Sequence, residues 1–306
     1  MIEVKELTKK YGDFVAVDNI SFNVEKGHIL GFLGPNGAGK TTTMRILTTY
    51  MPPTSGTAII DGHDILEAPD EVRKRVGYLP ENPPLYNDLT VEEYLRYVGK
   101  LKGLPKGKLN ERLEYVIETV GLKEKYRSVI ATLSKGYRQR VGIAQAIIHD
   151  PSVVILDEPT IGLDPNQVIE VRRLIRGLAG SHTVILSTHI LSEVTNTCDD
   201  VVIIHRGKIV AADSIEALTT KGEGVIRYRV RVKFPEKVDS GQVESEFDFV
   251  KDVDVNPHTG EVMLTVDRDE NIDRVAEYFV NSGAGLLEFA PMATTLEEIF
   301  TRLTIQ

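Results

Sequence analysis

The stretch Gly34-Pro-Asn-Gly-Ala-Gly39-Lys40-Thr41 decides the fold of this 306-residue chain, because it fits the pattern G-x-x-x-x-G-K-[ST] throughout. An apolar segment, Ile29–Leu33, leads into it, and a helical pattern through Met44–Leu47 follows. Glycines at such a strand-to-helix turn let backbone N–H groups converge on an anion, and the helix start adds its positive end. The stretch therefore predicts a phosphate-binding loop in an α/β domain.

The last two residues of this loop indicate its chemistry. Lys40 is expected to reach the β- and γ-phosphates of a nucleotide, and the Thr41 hydroxyl to ligate Mg²⁺. The pattern alone does not distinguish an ATPase from a GTPase or a small-molecule kinase. The structural alternative is a glycine-rich turn that happens to carry a lysine, and the full match in its strand-to-helix context disfavours it.

A second acidic site follows the aliphatic run Val153–Leu156, which has the composition of a strand buried in a parallel sheet. Asp157 comes at the end of this run and is expected to hold Mg²⁺, directly or through water. Side chains alternate along a strand, so Glu158 is expected to point elsewhere and to act on an attacking water. The structural alternative is a strand that ends in two solvated acids before Pro159.

Further motifs surround these two sites. Leu133-Ser-Lys-Gly-Tyr-Arg-Gln-Arg140 resembles the LSGGQ signature of ATP-binding-cassette (ABC) proteins. Ile161-Gly-Leu-Asp164 resembles the D-loop of that family, and Ser187-Thr-His189 its switch-histidine loop. Tyr11 occupies the place of the aromatic residue that stacks on adenine. In this order and spacing the motifs are specific. The resemblance covers about residues 2–218 and disfavours a GTPase or a kinase.

The resemblance implies a P-loop NTPase core with a β-subdomain and a helical subdomain, and a site for ATP and Mg²⁺. The implied ATP contacts are Tyr11, Gly34, Pro35, Asn36, Gly37, Ala38, Gly39, Lys40, Thr41, Thr42, Ser134, Gly136 and Asp164. Ser134 and Gly136 are expected to act in trans, on ATP held by the other chain of a dimer. The implied metal ligands are Thr41, Asp157 and Glu81, and the implied catalytic residues are Glu158, His189 and Lys40.

Two departures from the family pattern refine the resemblance. Glu81 stands where the family often has glutamine, and Lys135 and Tyr137 replace a glycine and a glutamine of the signature. Because Ser134 and Gly136 remain, the phosphate contact is expected to remain as well. These features resemble those of the ATPase subunits of ABC exporters whose membrane domain is a separate chain. Within that subgroup they are most similar to those of the gliding-motility ATP-binding subunits.

The pattern along the chain predicts two domains. Residues 1–220 read as an α/β domain, with Ser21–Val24 among its short strands and a capping box at Thr90 and Glu93. Lys221–Gly224 reads as a linker. Residues 225–306 read as a small ferredoxin-like α+β domain with the order β, unclear, β, β, α, β, α and a capped last helix from Thr295. Its first strand alternates apolar residues with the bases Arg227, Arg229, Arg231 and Lys233.

Composition and charge limit the partners. The net charge is −9, which disfavours non-specific binding to nucleic acid. The single cysteine, Cys198, lies beside Asp199 and Asp200 and is an unpromising nucleophile. No apolar run is long enough to span a bilayer. The family resemblance implies a cytoplasmic protein, peripheral on the inner face of the membrane, that forms a homodimer or pairs with a related subunit.

The expected role is to power a separate polytopic permease, with export favoured, and the permease is expected to dock near Tyr86–Leu122. One rival is a soluble ABC ATPase that acts on ribosomes or DNA, for which the basic strand Arg227–Lys233 is the best support. A solvated strand face is the alternative explanation of that strand. A second rival is a regulatory ATP-binding module whose C-terminal domain senses a ligand.

Overall fold

The computed structural model describes residues 1–220, 226–268, 270–292 and 296–304. The chain forms two compact units, Met1–Ile215 and Glu216–Gln306. The linker predicted at Lys221–Gly224 and the cap predicted at Thr295 lie outside the described residues. Among the described helices, none is both long and apolar enough to cross a membrane.

The first unit alternates strands with helices. Its strands are β1 (Ile2–Tyr11), β2 (Phe14–Val24), β3 (Ile29–Leu33), β4 (Ser55–Ile60), β5 (His63–Asp64), β6 (Val76–Leu79), β7 (Val153–Asp157), β8 (Thr183–Thr188), β9 (Asp200–His205) and β10 (Lys208–Ser214). Its helices are α1 (Lys40–Leu47), α2 (Pro69–Arg75), α3 (Val91–Leu101), α4 (Lys106–Thr119), α5 (Lys135–Ile147), α6 (Pro165–Leu178) and α7 (Leu191–Thr197), and α8 (Ile215–Thr220) follows them.

Six of these strands form the central sheet, in the order β10-β9-β3-β8-β7-β6. All neighbours are parallel except β10, which pairs antiparallel with β9. Every residue of β3, β7 and β8 is buried, which explains their continuous aliphatic sequence. The carboxyl ends of these three strands meet at one edge of the sheet, where ligands bind in such folds.

Two further layers flank the central sheet. The strands β2-β1-β4-β5 form an antiparallel sheet, and apolar residues from it join the core formed with β3, α1 and β7. The helices α3, α4 and α5 pack against one another as a helical layer. The predicted capping box is present at the start of α3, since Thr90 accepts from the Glu93 N–H at 3.2 Å and Glu93 accepts from the Thr90 N–H. The predicted α/β core with a β-subdomain and a helical subdomain is thus confirmed.

The β-subdomain contains more strand than the sequence indicated. The strand predicted at Ser21–Val24 begins at Phe14, and β1 was not predicted at all. In β1 the pairing register with β2 shifts between Val4 and Leu7, and Glu6 adopts a left-handed φ of 48°. This bulge moves the later apolar residues out of strict alternation, which is the signal that a sequence reading relies on.

The second unit is a small α+β domain. Its elements are β11 (Ile226–Val232), α9 (Ser240–Glu246), β12 (Val250–Val255), β13 (Glu261–Val266), α10 (Ile272–Asn281), β14 (Leu286–Met292) and α11 (Leu296–Thr304). The four strands form an antiparallel sheet in the order β12-β13-β11-β14, which gives a βαββαβ arrangement before α11. The segment left unclear in the sequence is α9, a seven-residue helix whose N-cap Asp239 accepts from the Gln242 N–H.

The arginines of β11 are paired with acidic side chains within this unit. Arg229 and Arg231 lie 2.7 Å and 3.7 Å from the carboxylate of Glu288, and Arg227 lies 3.4 Å from that of Glu298. The alternating arginines therefore belong to a paired, solvated sheet face, which is the alternative that the sequence left open.

Candidate nucleotide site

A cleft of about 470 Å³ opens at the carboxyl end of β3. Its lining comes from the β-subdomain, the phosphate loop and the segments after β6 and β7. The lining residues are Tyr11, Phe14, Ala16, Asn36, Gly37, Gly39, Lys40, Thr41, Thr42, Glu81, Glu158 and Ile161. The volume lies within the usual range for pockets that bind small molecules and cofactors, about 300–1,000 Å³. The structure thus brings most of the predicted contacts to one place.

The phosphate loop has the open backbone that its glycines predict. Gly37 and Gly39 have φ values of 79° and 107°, and Gly39 is the N-cap of α1 without a side-chain cap. A Cβ atom on Gly39 would lie 2.5 Å from the carbonyl oxygen of Ala16, and one on Gly34 would lie 2.3 Å from that of Ile204. Only glycine fits at these two positions, and the first N–H groups of α1 are left to bind an anion.

Lys40 is buried at the base of the cleft. Its ammonium donates to the carbonyl oxygens of Gly34 at 2.8 Å and Pro35 at 3.2 Å, and it lies 3.4 Å from Glu158 Oε1. The lysine is 5% exposed, so its charge is compensated by protein oxygens rather than by water. Phosphate oxygens that enter the loop compete with these three oxygens for the same ammonium group.

Asp157 supplies a buried carboxylate that fits a divalent cation. Its Oδ1 accepts from the Ser187 hydroxyl at 2.7 Å, whereas Oδ2 is buried and has no hydrogen-bond partner among the described residues. Burial raises the pKa of the Asp157 carboxyl, and the Ser187 and Thr41 hydroxyls partly oppose that shift. Mg²⁺ prefers hard oxygen ligands. The unpartnered carboxylate oxygen of Asp157 and the nearby Thr41 hydroxyl are ligands of this kind.

Glu158 is the first residue after β7. Strand β7 ends at Asp157, and Glu158 itself adopts a left-handed φ of 50° while its N–H donates to the Ser187 carbonyl. The alternation rule does not extend past the strand, so the left-handed backbone rather than alternation sets the direction of Glu158, and its action on an attacking water stays a prediction. The left-handed backbone directs its side chain into the cleft, where Oε2 lies 2.9 Å from His189 Nδ1. Glu158 thus contacts both Lys40 and His189 and is 6% exposed.

Two aromatic residues stand at the outer wall of the cleft. Tyr11 is 46% exposed, its hydroxyl donates to the Met51 sulfur at 3.1 Å, and the Lys9 ammonium lies 5.5 Å from its ring centre. Phe14, across the β1–β2 turn, is 63% exposed and was not predicted. The sequence signal that could have identified it is a second aromatic residue opposite Tyr11 across the two-residue turn Gly12-Asp13.

The remaining predicted metal ligand, Glu81, is exposed and lines the cleft in the segment after β6. Two other lining residues, Ala16 and Ile161, were not predicted, because backbone geometry rather than side-chain chemistry places them there. Gly34, Pro35 and Ala38 belong to the phosphate loop without lining the cleft.

Ser134, Gly136 and Asp164 lie outside the cleft formed by this chain. The Ser134 side chain caps α5 through the Tyr137 N–H at 3.5 Å, and Asp164 caps α6 through the Gln167 N–H at 3.0 Å. A Cβ on Gly136 would lie 2.5 Å from the Gln167 amide, so the signature glycine is packed against α6. In this chain their side chains and backbone serve the helices α5 and α6.

Cys198 is buried and takes no part in the site. Burial, reinforced by the negative charges of Asp199 and Glu193, raises the pKa of its thiol. A thiol with a raised pKa stays protonated and unreactive, as the sequence predicted.

Comparison with known proteins identifies the family. Residues 17–161 match the family described as ABC transporter. The chain is 35% identical over 305 residues to the bacitracin transport ATP-binding protein BcrA of Bacillus licheniformis, with 99% of this chain and 97% of that protein covered. It is 38% identical over 227 residues to the probable multidrug ABC transporter ATP-binding protein YbhF of Escherichia coli K12, with 73% of this chain and 39% of that protein covered.

A solved structure described as the ATP-binding subunit of an ABC transporter superimposes with a TM-score of 0.66 at 32% identity, covering 72% of this chain and 93% of that chain. The identity spans almost the full length of the BcrA relative, and the matching folds carry the same cassette core. The chain therefore belongs to the ATP-binding-cassette family and is an ATP-binding, ATP-hydrolysing subunit of a transporter.

Proposed function

We propose that the cleft binds MgATP and that Glu158 is the general base that activates water for its hydrolysis. One observation carries this assignment. A nearly buried carboxylate, aimed into the cleft by a left-handed backbone, lies against both the phosphate-loop lysine and His189. Backbone strain of this kind persists where surrounding structure maintains it, and it clusters at functional sites.

The ATP contacts follow from the positions of the lining residues. Tyr11 and Phe14 offer aromatic faces to the base. The loop from Gly34 to Thr42, with Lys40, binds the phosphates through backbone N–H groups and one ammonium. Thr41 and the free Oδ2 of Asp157 would hold Mg²⁺, with Glu81 as a further oxygen ligand. The metal, when bound, neutralises charge on the phosphates.

The hydrolytic step uses the contacts around Glu158. Phosphate oxygens draw Lys40 away from Glu158, which leaves the carboxylate free to accept a proton from water as the water oxygen attacks the γ-phosphorus. His189 keeps Glu158 oriented through the contact between its Nδ1 and the Glu158 Oε2 at 2.9 Å. The bond between the γ-phosphorus and the β–γ bridging oxygen breaks, ADP leaves with that oxygen, and the proton on Glu158 passes to the departing phosphate.

The site is proposed to be completed by a second chain. Ser134 and Gly136 form the start of α5, a long helix whose free N–H groups suit a γ-phosphate, yet they lie outside this chain's own cleft. Two chains related by a twofold axis would each supply this helix start to the other, with Asp164 near the contact. The dimer is a homodimer or a pair with a related subunit.

A basic groove next to the Glu81 segment is the proposed docking place of the permease. The groove, about 740 Å³, is lined by the bases Arg45, Arg73 and Lys102 and lies between the phosphate-loop helix, β6 and the helical layer. It borders the segment Tyr86–Leu122 expected from the sequence, and its charge fits an acidic cytoplasmic segment. Arg73→Glu should reduce co-purification of a polytopic partner, and unchanged recovery would remove the groove from this role.

The transport direction proposed is export, from the membrane surface that faces the cytoplasm. Relatives whose names give a cargo include proteins of bacitracin transport, multidrug transport and Nod factor export, and the last of these names supports this direction. The rival of a nucleic-acid machine loses its best support, because the arginines of β11 are paired with Glu288 and Glu298. The C-terminal unit is proposed to be an accessory domain.

The direct test of the catalytic assignment is Glu158→Gln. ATP binding, measured by calorimetry, should be retained, and kcat should fall by about 10²–10⁴, the range for a positioned acid–base group. Glu111→Gln, on an exposed face of α4, is the matched control and should leave both unchanged. Near-normal hydrolysis by Glu158→Gln would remove Glu158 from the role of base.

A further inference from the structure

Glu193 is a carboxylate buried in the first turn of α7, with 1% of its surface exposed. Among the residues that the structure describes, no lysine, arginine or histidine lies within ion-pair distance of it. Its oxygens accept from two hydroxyls, that of Thr160 at Oε1 and that of Thr188 at Oε2, the latter at 2.7 Å. An unpaired carboxylate is costly to bury, so a function for this arrangement has to be sought in what it connects.

The two threonines belong to the segments that carry the reacting side chains. Thr160 follows Glu158 by two residues, in a turn in which the Ile161 N–H donates to the Glu158 carbonyl. Thr188 immediately precedes His189, and its hydroxyl oxygen also accepts the Ile190 N–H at 3.0 Å. Both threonines are buried, with 4% and 0% exposure. One carboxylate therefore joins the turn after β7 to the loop after β8.

The same connection reaches the phosphate loop. The Thr188 carbonyl accepts the N–H of Gly34 at 3.3 Å, at the position where β3 and β8 pair. Fixing Thr188 thus fixes the backbone from which both His189 and the phosphate loop begin. The Glu158–His189 contact spans these two segments, and no hydrogen bond within either segment alone determines its length.

We propose that Glu193 is a positioning residue that holds Glu158 and His189 in register by binding Thr160 and Thr188 together. This inference rests on the catalytic roles proposed above for Glu158 and His189. Glu193 acts through hydrogen bonds that a carboxylate is suited to make, since both of its oxygens are acceptors and both threonine hydroxyls are donors. Supporting contacts of this type keep a reacting constellation within the tolerance that chemistry requires.

Glu193→Gln is the primary test because it preserves shape and removes one of the two acceptors. One hydroxyl then faces an NH₂ group and can only accept from it, so the side-chain link between the turn and the loop loses its geometry, while the backbone bond from the Glu158 N–H to the Ser187 carbonyl remains. Misplacement by about 1 Å lowers turnover by about 10²-fold, so we expect kcat to fall by at least about tenfold. The Kd of a non-hydrolysable ATP analogue should stay within about twofold, because the phosphate-loop residues are unchanged.

A second variant separates a network from a general loss of stability. Thr160→Val removes one hydroxyl at constant volume and should also lower kcat without changing the Kd. In the double variant the loss should be smaller than the product of the two single losses, because both changes break the same link. Independent, multiplicative losses would overturn the proposal. If Glu193→Gln does not fold, Thr160→Val decides alone, and wild-type kcat in that variant also overturns it.

Ile175→Val is the matched structural control, since Ile175 is fully buried in α6 and carries no polar side-chain atom. It should lower the melting temperature while leaving kcat within twofold, and an equal loss of kcat would overturn the positioning role. Glu158→Gln is measured in parallel. If Glu158→Gln retains full turnover, the proposed function and this inference both fail. If Glu158→Gln is inactive and Glu193→Gln retains wild-type kcat, only this inference fails.

Discussion

Replacing Lys40 by methionine should destabilise the nucleotide-free protein, and replacing Glu158 by glutamine in addition should recover part of the loss. The single change leaves the Glu158 charge buried with His189 as its remaining polar side-chain contact. At 3.4 Å and an effective dielectric constant of about 20, two unit charges attract by about 5 kcal/mol. The methionine side chain cannot donate to the carbonyl oxygens that the Lys40 ammonium contacts. The cost of removing both charges from water offsets part of their attraction. We therefore expect a coupling free energy of about 2 kcal/mol.

The assay is urea unfolding of the wild type, the two single variants and the double variant, at pH 7 without nucleotide. A surface pair on α3 serves as the control cycle. Arg96 and Glu92 approach more closely, at 2.8 Å, but their side chains are about one-third exposed, so their coupling should stay below about 0.5 kcal/mol. A Lys40–Glu158 coupling no larger than that of the surface pair would refute the assignment of a buried, mutually dependent ion pair at the base of the cleft.

Three further predictions concern stability and metal binding. Burial lowers the pKa of His149 from 6.5 to about 3, so its stabilisation, present above pH 6.5, is lost as pH falls. Between pH 7 and 5.5 the free energy of unfolding, measured with urea, should drop by about 1 kcal/mol more in the wild type than in His149→Asn. An equal drop in the two proteins would contradict this. Burial raises the pKa of Asp157, so its charge costs stability once pH rises past that pKa. Without nucleotide, Asp157→Asn should unfold at the wild-type urea midpoint or above it, and a lower midpoint would contradict the prediction. The variant should also lose the rise in melting temperature that Mg²⁺ and ATP give the wild type. Gly39→Ala should lower the free energy of unfolding by about 1–3 kcal/mol, because Gly39 has a positive φ and a Cβ would press on the Ala16 carbonyl. Gly107→Ala, with open space around the Cβ position, should not lower it. Equal losses in the two variants would count against the reasoning.

The parts of the site that sequence could predict are those in which local chemistry determines local structure. The phosphate loop needs its glycines for backbone reasons that hold in any context, so Gly39 identifies a conformation as well as a motif. The buried parallel strands β7 and β8 were predictable because a strand covered on both faces has a continuous aliphatic sequence. The carboxylate at the end of β7 followed from that placement.

The parts that sequence could not predict depend on backbone irregularity or on tertiary contacts. Strand β1 was missed because a bulge at Glu6 interrupts its alternation. The backbone conformation that directs Glu158 could not be predicted, because a single left-handed residue after a strand follows no alternation rule. The role inferred for Glu193 had no sequence signal, since Thr160 and Thr188 meet it only when β7, β8 and α7 are packed.

The central claim is that each ATP site needs a second chain, and mixing two inactive variants tests it most directly. Lys40→Ala lacks a working phosphate loop but keeps the start of α5, whereas Ser134→Arg keeps the phosphate loop and blocks that helix start. In a mixed dimer one complete site forms. With random pairing, half of the dimers are mixed, so ATP turnover should return to roughly a quarter of wild type. A mixture no more active than its separate components, with both variants folded, would contradict the account.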